Sequence, residues 1–155
     1  TVFEAGGRFG LLPCGLASRD TLRLEAGMPL YGNELGRDVN PYEANLGRVV
    51  KLAKGEFIGR AALAEIERRG PRRRLVGLVM QDEGIARHGY PVSLAGQSCG
   101  FVTSGSFAPF LQKSIGLCYV PAARATAGTP LEVEIRGARV AARIVATPFY
   151  KRPRH

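Results

Sequence analysis

LEVEIRGARVAARIVATP, residues 131–148, is the stretch whose reading decides the fold of this chain. Leu131, Val133 and Ile135 alternate with Glu132, Glu134 and Arg136, so one extended strand carries an apolar face and a charged face. ARVAARIVATP (138–148) predicts a second strand, with Gly137-Ala138 as the tight hairpin turn between the two. Upstream, RRLVGLVM (73–80), YPVSL (90–94), CGFVTSG (99–105) and SIGLCYV (114–120) have the same character, short and bounded by turn residues. Six such strands with hardly any helix predict a small antiparallel barrel or sandwich.

Further upstream the periodicity is mixed. Residues 2–9 predict a helix with Gly10 beyond it, and Leu11 to Gly15 a short strand. A helix is expected over about 19–26, capped by Ser18 or Asp20 and stopped by Gly27 and Pro29. LGRVVKL (46–52) predicts a strand, and Phe57 to Arg69 a helix with Ile58, Ala62 and Ile66 on one face. Gly70-Pro71 stops that helix and is the best domain boundary. The whole reads as α+β: residues 1–69, then a small antiparallel β domain over 72–155.

Composition narrows the function classes. At 155 residues, 45% apolar and 23% charged, the chain has the make-up of a globular protein able to bury a core. No apolar run approaches a bilayer span and no signal peptide is expected, so a membrane role is not. Thr1 opens the chain abruptly, which reads as the interior of a longer protein. Three scattered cysteines, Cys14, Cys99 and Cys118, fit neither a disulfide framework nor a CxxC clamp. They are read as small core hydrophobes in an intracellular, reducing compartment. A net charge of +9 favours acidic partners, with arginines gathered in RRGPRRR (68–74) and KRPRH (151–155).

The usual catalytic signatures are missing: the chain has no GxGxxG, GxxxxGK[ST], HExxH or GxSxG. With two histidines, His88 in a turn-like stretch and His155 at the end, no His-based metal site is expected. Ser104-Gly105-Ser106 reads as a strand-to-loop turn. The carboxylates Glu25, Glu34, Asp38, Glu43, Asp82 and Glu83 show no spacing that demands an acid–base pair.

Seven ordered stretches carry a family resemblance: CGLASRDTLRLEAGMPLYGNEL (14–35), PYEANLGRVVKLAKGEFIGRAAL (41–63), ARHGYPV (86–92), GFVTSG (100–105), IGLCYV (115–120), GTPLEVEIRG (128–137) and PFYKR (148–152). Together they make the chain similar to the C-terminal part of the aminomethyltransferase family, the T proteins of the glycine cleavage system. The resemblance implies that residues 1–69 end a ferredoxin-like, folate-binding region and that 72–155 form its C-terminal β-barrel domain. It implies tetrahydrofolate as cosubstrate and the lipoylated H protein as partner. The aminomethyl carbon passes from the lipoyl arm to tetrahydrofolate, and ammonia is released.

Residue by residue, Arg19 matches the family's folate- or substrate-contacting arginine, a role suited to its five fixed donors. Arg154 falls near a family arginine of the C-terminal tail, with Arg152 close by. No catalytic residue is expected in this chain, because the family's essential Asp lies upstream; this piece is expected to be inactive alone. Asp20, Arg23 and Glu25 are read as scaffold. Arg48 departs from the large hydrophobic residue usual there. Glu56 stands where the iron–sulfur-cluster folate protein has a Cys, which argues against that sibling. The folate-binding part of a sarcosine- or dimethylglycine-oxidising enzyme is the nearest alternative. A basic β module with a structural or nucleic-acid-binding role is the alternative of another class. Nucleic acid is disfavoured, because the aromatics are not interleaved with Lys and Arg as a stacking platform.

Overall fold

The computed structural model of the chain describes residues 1–152. Its centre is a closed six-stranded antiparallel barrel: β1 (Arg73–Met80), β2 (Pro91–Leu94), β3 (Gln97–Ala108), β4 (Lys113–Pro121), β5 (Pro130–Ile135) and β6 (Ala138–Val145), hydrogen-bonded in the order β1-β4-β3-β2-β5-β6. The final pairing of β1 with β6, Gly77 opposite Val145 and Met80 opposite Ala142, removes the free edges. All six expected strands are present, and the choice between barrel and sandwich falls to the barrel.

The alternation in β5 works as read, with Leu131 and Val133 buried and Glu134 exposed. Those two side chains join Val76, Leu78, Val92, Val102, Cys118, Val120 and Ile144 in the barrel interior. The hairpin turn sits one residue earlier than expected. Ile135 pairs with Ala138, and Arg136 (φ 52°) and Gly137 (φ 83°) make the two-residue turn.

Residues 1–69 hold three helices, α1 (Val2–Gly7), α2 (Leu16–Glu25) and α3 (Arg60–Arg69). Thr1 and Glu4 form a reciprocal capping box on α1. α2 begins at Leu16, three residues earlier than expected, with Gly15 at its N-cap and no side-chain cap. Ser18 lies inside it, and the Asp20 carboxylate is taken by Arg23. The expected strands at 11–15 and 46–52 do not form. Among the described residues no strand lies beside either segment to satisfy its backbone, and residues 47–49 and 52–54 close into 3-10 turns instead. The helix expected from Phe57 starts at Arg60, which leaves Ile58 outside it and exposed; of the expected apolar face Ala62 is exposed, Ile66 is half-buried, and no residue of α3 is fully buried.

A second core cluster joins the helical region to the barrel wall. Leu24 of α2 packs with Leu75, Ala108, Ile115, Leu117 and Tyr119, with Val39 and Phe149 at its margin. Backbone bonds tie the same seam: Leu75 donates to the Glu43 carbonyl at 2.9 Å and Tyr150 to the Glu25 carbonyl at 3.0 Å.

Candidate functional site

α2 carries the stretch SRDTLRLE, and its 3.6-residue period sorts those side chains. Leu24 and Arg23 turn inward, whereas Arg19 and Leu22 face out. Arg23, 9% exposed, is the link between helix and barrel. Its Nε donates to Asp20 Oδ1 at 2.7 Å, one terminal nitrogen to Glu34 Oε2 at 2.8 Å, and the other to Ser104 Oγ on β3 at 2.8 Å.

Glu34 is fully buried. Its Oε2 also accepts from the Leu30 N–H at 2.9 Å, closing the 30–35 turn on itself, while Oε1 has no hydrogen-bond partner among the described residues. Two further bonds hold this turn. The Asn33 side-chain amide donates to the Thr103 carbonyl and to Ser104 Oγ, both at 3.1 Å, and the Tyr119 hydroxyl donates to the Glu34 carbonyl at 2.8 Å. Burial pushes the Tyr119 phenol up to about 12, the Arg73 cation opposing this and the Glu34 and Glu43 carboxylates adding to it. Arg73 lies over the Tyr119 ring, 4.8 Å from its centre, and pairs with Glu43 at 3.3 Å.

β3 can receive this network because its pairing with β4 shifts register between Val102 and Ser104. Ser104-Gly105-Ser106 is therefore strand, not the turn expected. A Cβ on Gly105 would stand 1.8 Å from the Ala86 carbonyl oxygen, so the 86–88 loop lies directly on the backbone there. From that loop His88 Nδ1 donates to the Thr103 carbonyl at 2.7 Å, and its ring meets Phe101 edge-on. His88 is otherwise exposed, as read from the sequence.

Arg19 lies on the outer face of α2, exposed and without an ion pair among the described residues. Arg154 lies outside the described residues; Lys151 and Arg152 before it are exposed. A recess of about 510 Å³ opens where the end of α2 meets the barrel, lined by Met28, Pro29, Asn45, Arg48, Leu117 and Pro148 among others. Arg19 is not in its lining, whereas Arg48 is. Arg48 thus replaces an expected hydrophobic side chain with a cation at the mouth of a cavity, on an exposed turn where charge is tolerated. No cluster of three or more metal-ligating His, Cys, Asp or Glu side chains occurs among the described residues. Of the cysteines Cys118 is buried, Cys99 half-buried and Cys14 exposed, so the reading of all three as core fails at Cys14.

The Arg23–Glu34–Ser104 network is the feature that sequence reasoning missed. Arg23 and Glu25 were expected to serve α2 alone, and nothing local pairs position 23 with 34 or 104. No local signal marked it, because Arg23 stands between Leu22, which faces out, and Leu24, which faces in.

Comparison with known proteins agrees with this geometry. Residues 73–151 match the family described as the glycine cleavage T-protein C-terminal barrel domain, and residues 1–54 match the GCVT N-terminal domain. An aminomethyltransferase of Symbiobacterium thermophilum is 56% identical over 153 residues, which cover 98% of this chain and 41% of that protein. One from Moorella thermoacetica is 54% identical over 99% of this chain and 42% of its own length. A crystal structure of the glycine cleavage system aminomethyltransferase T from Bartonella henselae superposes with a TM-score of 0.83 at 38% identity, over 88% of this chain and 39% of that one. The chain thus spans about two fifths of the length of the relatives it matches. Barrel, helical preface and sequence agree, and the chain belongs to the glycine cleavage T-protein family.

Proposed function

We propose that this chain is the C-terminal portion of a tetrahydrofolate-dependent aminomethyltransferase, with residues 1–69 completing the folate-binding region and 72–155 forming the barrel that supports it. The complete enzyme moves the aminomethyl carbon from the lipoyl arm of the H protein to tetrahydrofolate and releases ammonia. The carboxylate essential to that transfer belongs to the region preceding this one, so the chain supplies no catalytic acid. Arg19 is the folate-facing residue, and Arg154 a second basic contact for the anionic tail of the cosubstrate.

The observation that carries this reading is the division of labour along α2. Arg23 is consumed by a buried network, which leaves Arg19, one turn away on a held helix, with its donors free of ion pairs among the described residues. No helix of the described residues is long and apolar enough to cross a membrane, and we place the protein in the bacterial cytoplasm or, in a eukaryote, the mitochondrial matrix.

Calorimetric titration with tetrahydrofolate, wild type against Arg19→Ala, tests the assignment. Weak or undetectable binding by the wild type, none by the variant and no turnover by either are expected. Aminomethyl transfer by this chain alone would overturn the claim that the essential carboxylate lies elsewhere.

A further inference from the structure

The arginines gathered in RRGPRRR (68–74) are sorted by the fold into different surroundings. Arg68 closes on Glu65 within α3, with nitrogen–oxygen distances of 2.9 and 2.7 Å. Arg73 pairs with Glu43 at 3.3 Å and donates to the Asp38 carbonyl at 2.8 Å, which fastens the 38–43 segment to the start of β1. Arg74 lines a recess that it shares with Tyr42 and Glu67. Arg69 and Arg72 are left over, exposed and without an ion pair among the described residues. Gly70 (φ 81°) and Pro71 turn the chain between them. Both then line a second recess of about 410 Å³, and Arg37, likewise exposed and without an ion pair among the described residues, lines it from the other segment.

Three guanidinium groups around one recess repel each other unless a counter-charge lies between them. Asp38 and Glu43 line the recess too, but Glu43 is buried and already taken by Arg73, so positive charge is in excess. A guanidinium presents its donors as a planar fork that matches phosphate oxygens. Three forks, each able to meet two oxygens, ask for more acceptors than a single phosphate carries. The lining holds no aromatic ring on which a base could stack, and its apolar part is confined to Val39 and Pro71. Charge and hydrogen bonding are therefore what this wall recognises. Arg69 and Arg72 fall between the two family matches, 1–54 and 73–151, so neither match gives them a role. We propose that Arg37, Arg69 and Arg72 form a binding site for a small polyanion of the diphosphate class. The bound anion would tie the 37–43 segment to the turn between α3 and β1. The inference goes beyond the folate reading and does not depend on the assignment of Arg19.

Calorimetric titration of this chain with inorganic pyrophosphate, at about 0.15 M salt, tests the site, with orthophosphate and adenosine diphosphate in parallel. One saturable site for pyrophosphate is expected. Orthophosphate should bind about tenfold more weakly, and adenosine diphosphate within a few-fold of pyrophosphate, since the base finds nothing to stack on. Arg37→Ala, Arg69→Ala and Arg72→Ala should each weaken pyrophosphate binding about tenfold, the effect of losing one hydrogen-bonded charge. Their melting temperatures without ligand should stay close to that of the wild type, because all three side chains are exposed. Arg87→Ala removes the same charge from an exposed loop and should leave the affinity unchanged. Saturating pyrophosphate should also raise the melting temperature of the wild type but not that of Arg37→Ala/Arg72→Ala. The proposal is overturned by the absence of saturable binding at this salt, or by equal weakening in Arg87→Ala, which would reduce the effect to net charge. Equal affinity for orthophosphate, or binding of adenosine diphosphate without pyrophosphate, overturns the diphosphate class. An RNA oligonucleotide that needs these arginines, and that pyrophosphate does not displace, would assign the recess to nucleic acid instead.

Discussion

Replacing Arg23 by Met removes the cation from a network in which its partner has no access to water. Glu34 is fully buried, one of its oxygens already lacks a partner among the described residues, and the other would keep only the Leu30 N–H. Ser104 Oγ and the Met28 carbonyl, 3.3 Å from Arg23, would each lose a donor as well. Removing one member of a buried ion pair costs about 3–5 kcal/mol, most of it the penalty for the stranded charge. For a domain of this size that corresponds to a fall of roughly 6–20 °C in Tm. Urea unfolding should show the loss as a lower midpoint at unchanged slope. Arg23→Met/Glu34→Met removes both charges, and the double variant should be more stable than Arg23→Met alone, with a coupling of about 1–3 kcal/mol. A cost below about 1 kcal/mol for Arg23→Met, or strictly additive single and double variants, would refute the idea that this pair holds α2 to β3.

Gly105→Ala should cost about 3 kcal/mol in the same assay, because its Cβ would overlap the Ala86 carbonyl oxygen, whereas Gly36→Ala, with open space around it, should be near neutral. Tyr119→Phe should lose about 1 kcal/mol at neutral pH with the hydroxyl bond to Glu34. The Tyr119 phenol is raised from 10 to about 12 on folding, so its contribution is complete below pH 10 and disappears as pH climbs through 12. Wild type should therefore lose stability across that window more steeply than Tyr119→Phe; parallel pH profiles would contradict the assignment. Thiol labelling at pH 8 should modify Cys14 quickly and Cys99 slowly, its thiol raised by burial, with Cys118 reacting only on unfolding, since burial and the nearby Cys99 push it up to about 12.

The barrel was readable from the sequence because each strand carries its own evidence. Leu131, Val133 and their charged neighbours declare a strand and its buried face with no knowledge of the partner, and turn residues bracket every strand alike. The end of α2 was readable from its Gly27 and Pro29 stop, its start was not, and the family was readable from seven ordered matches. What the sequence could not supply depends on neighbours far away in the chain. Whether VVKL extends is decided by whether a strand lies beside it, and among the described residues none does. Whether Ala62 is core or surface depends on what packs against α3, which the amphipathic pattern alone does not say. Arg23, Glu34 and Ser104 look like three ordinary polar residues in sequence, spaced 11 and 81 apart as their hydrogen bonds run. Only the closed barrel, with its register shift at Thr103, brings them within 3 Å and out of water, where an exposed ion pair worth little becomes one whose partners cannot be separated cheaply. Local periodicity determined the elements; the burial that only tertiary packing creates decided which polar residues matter.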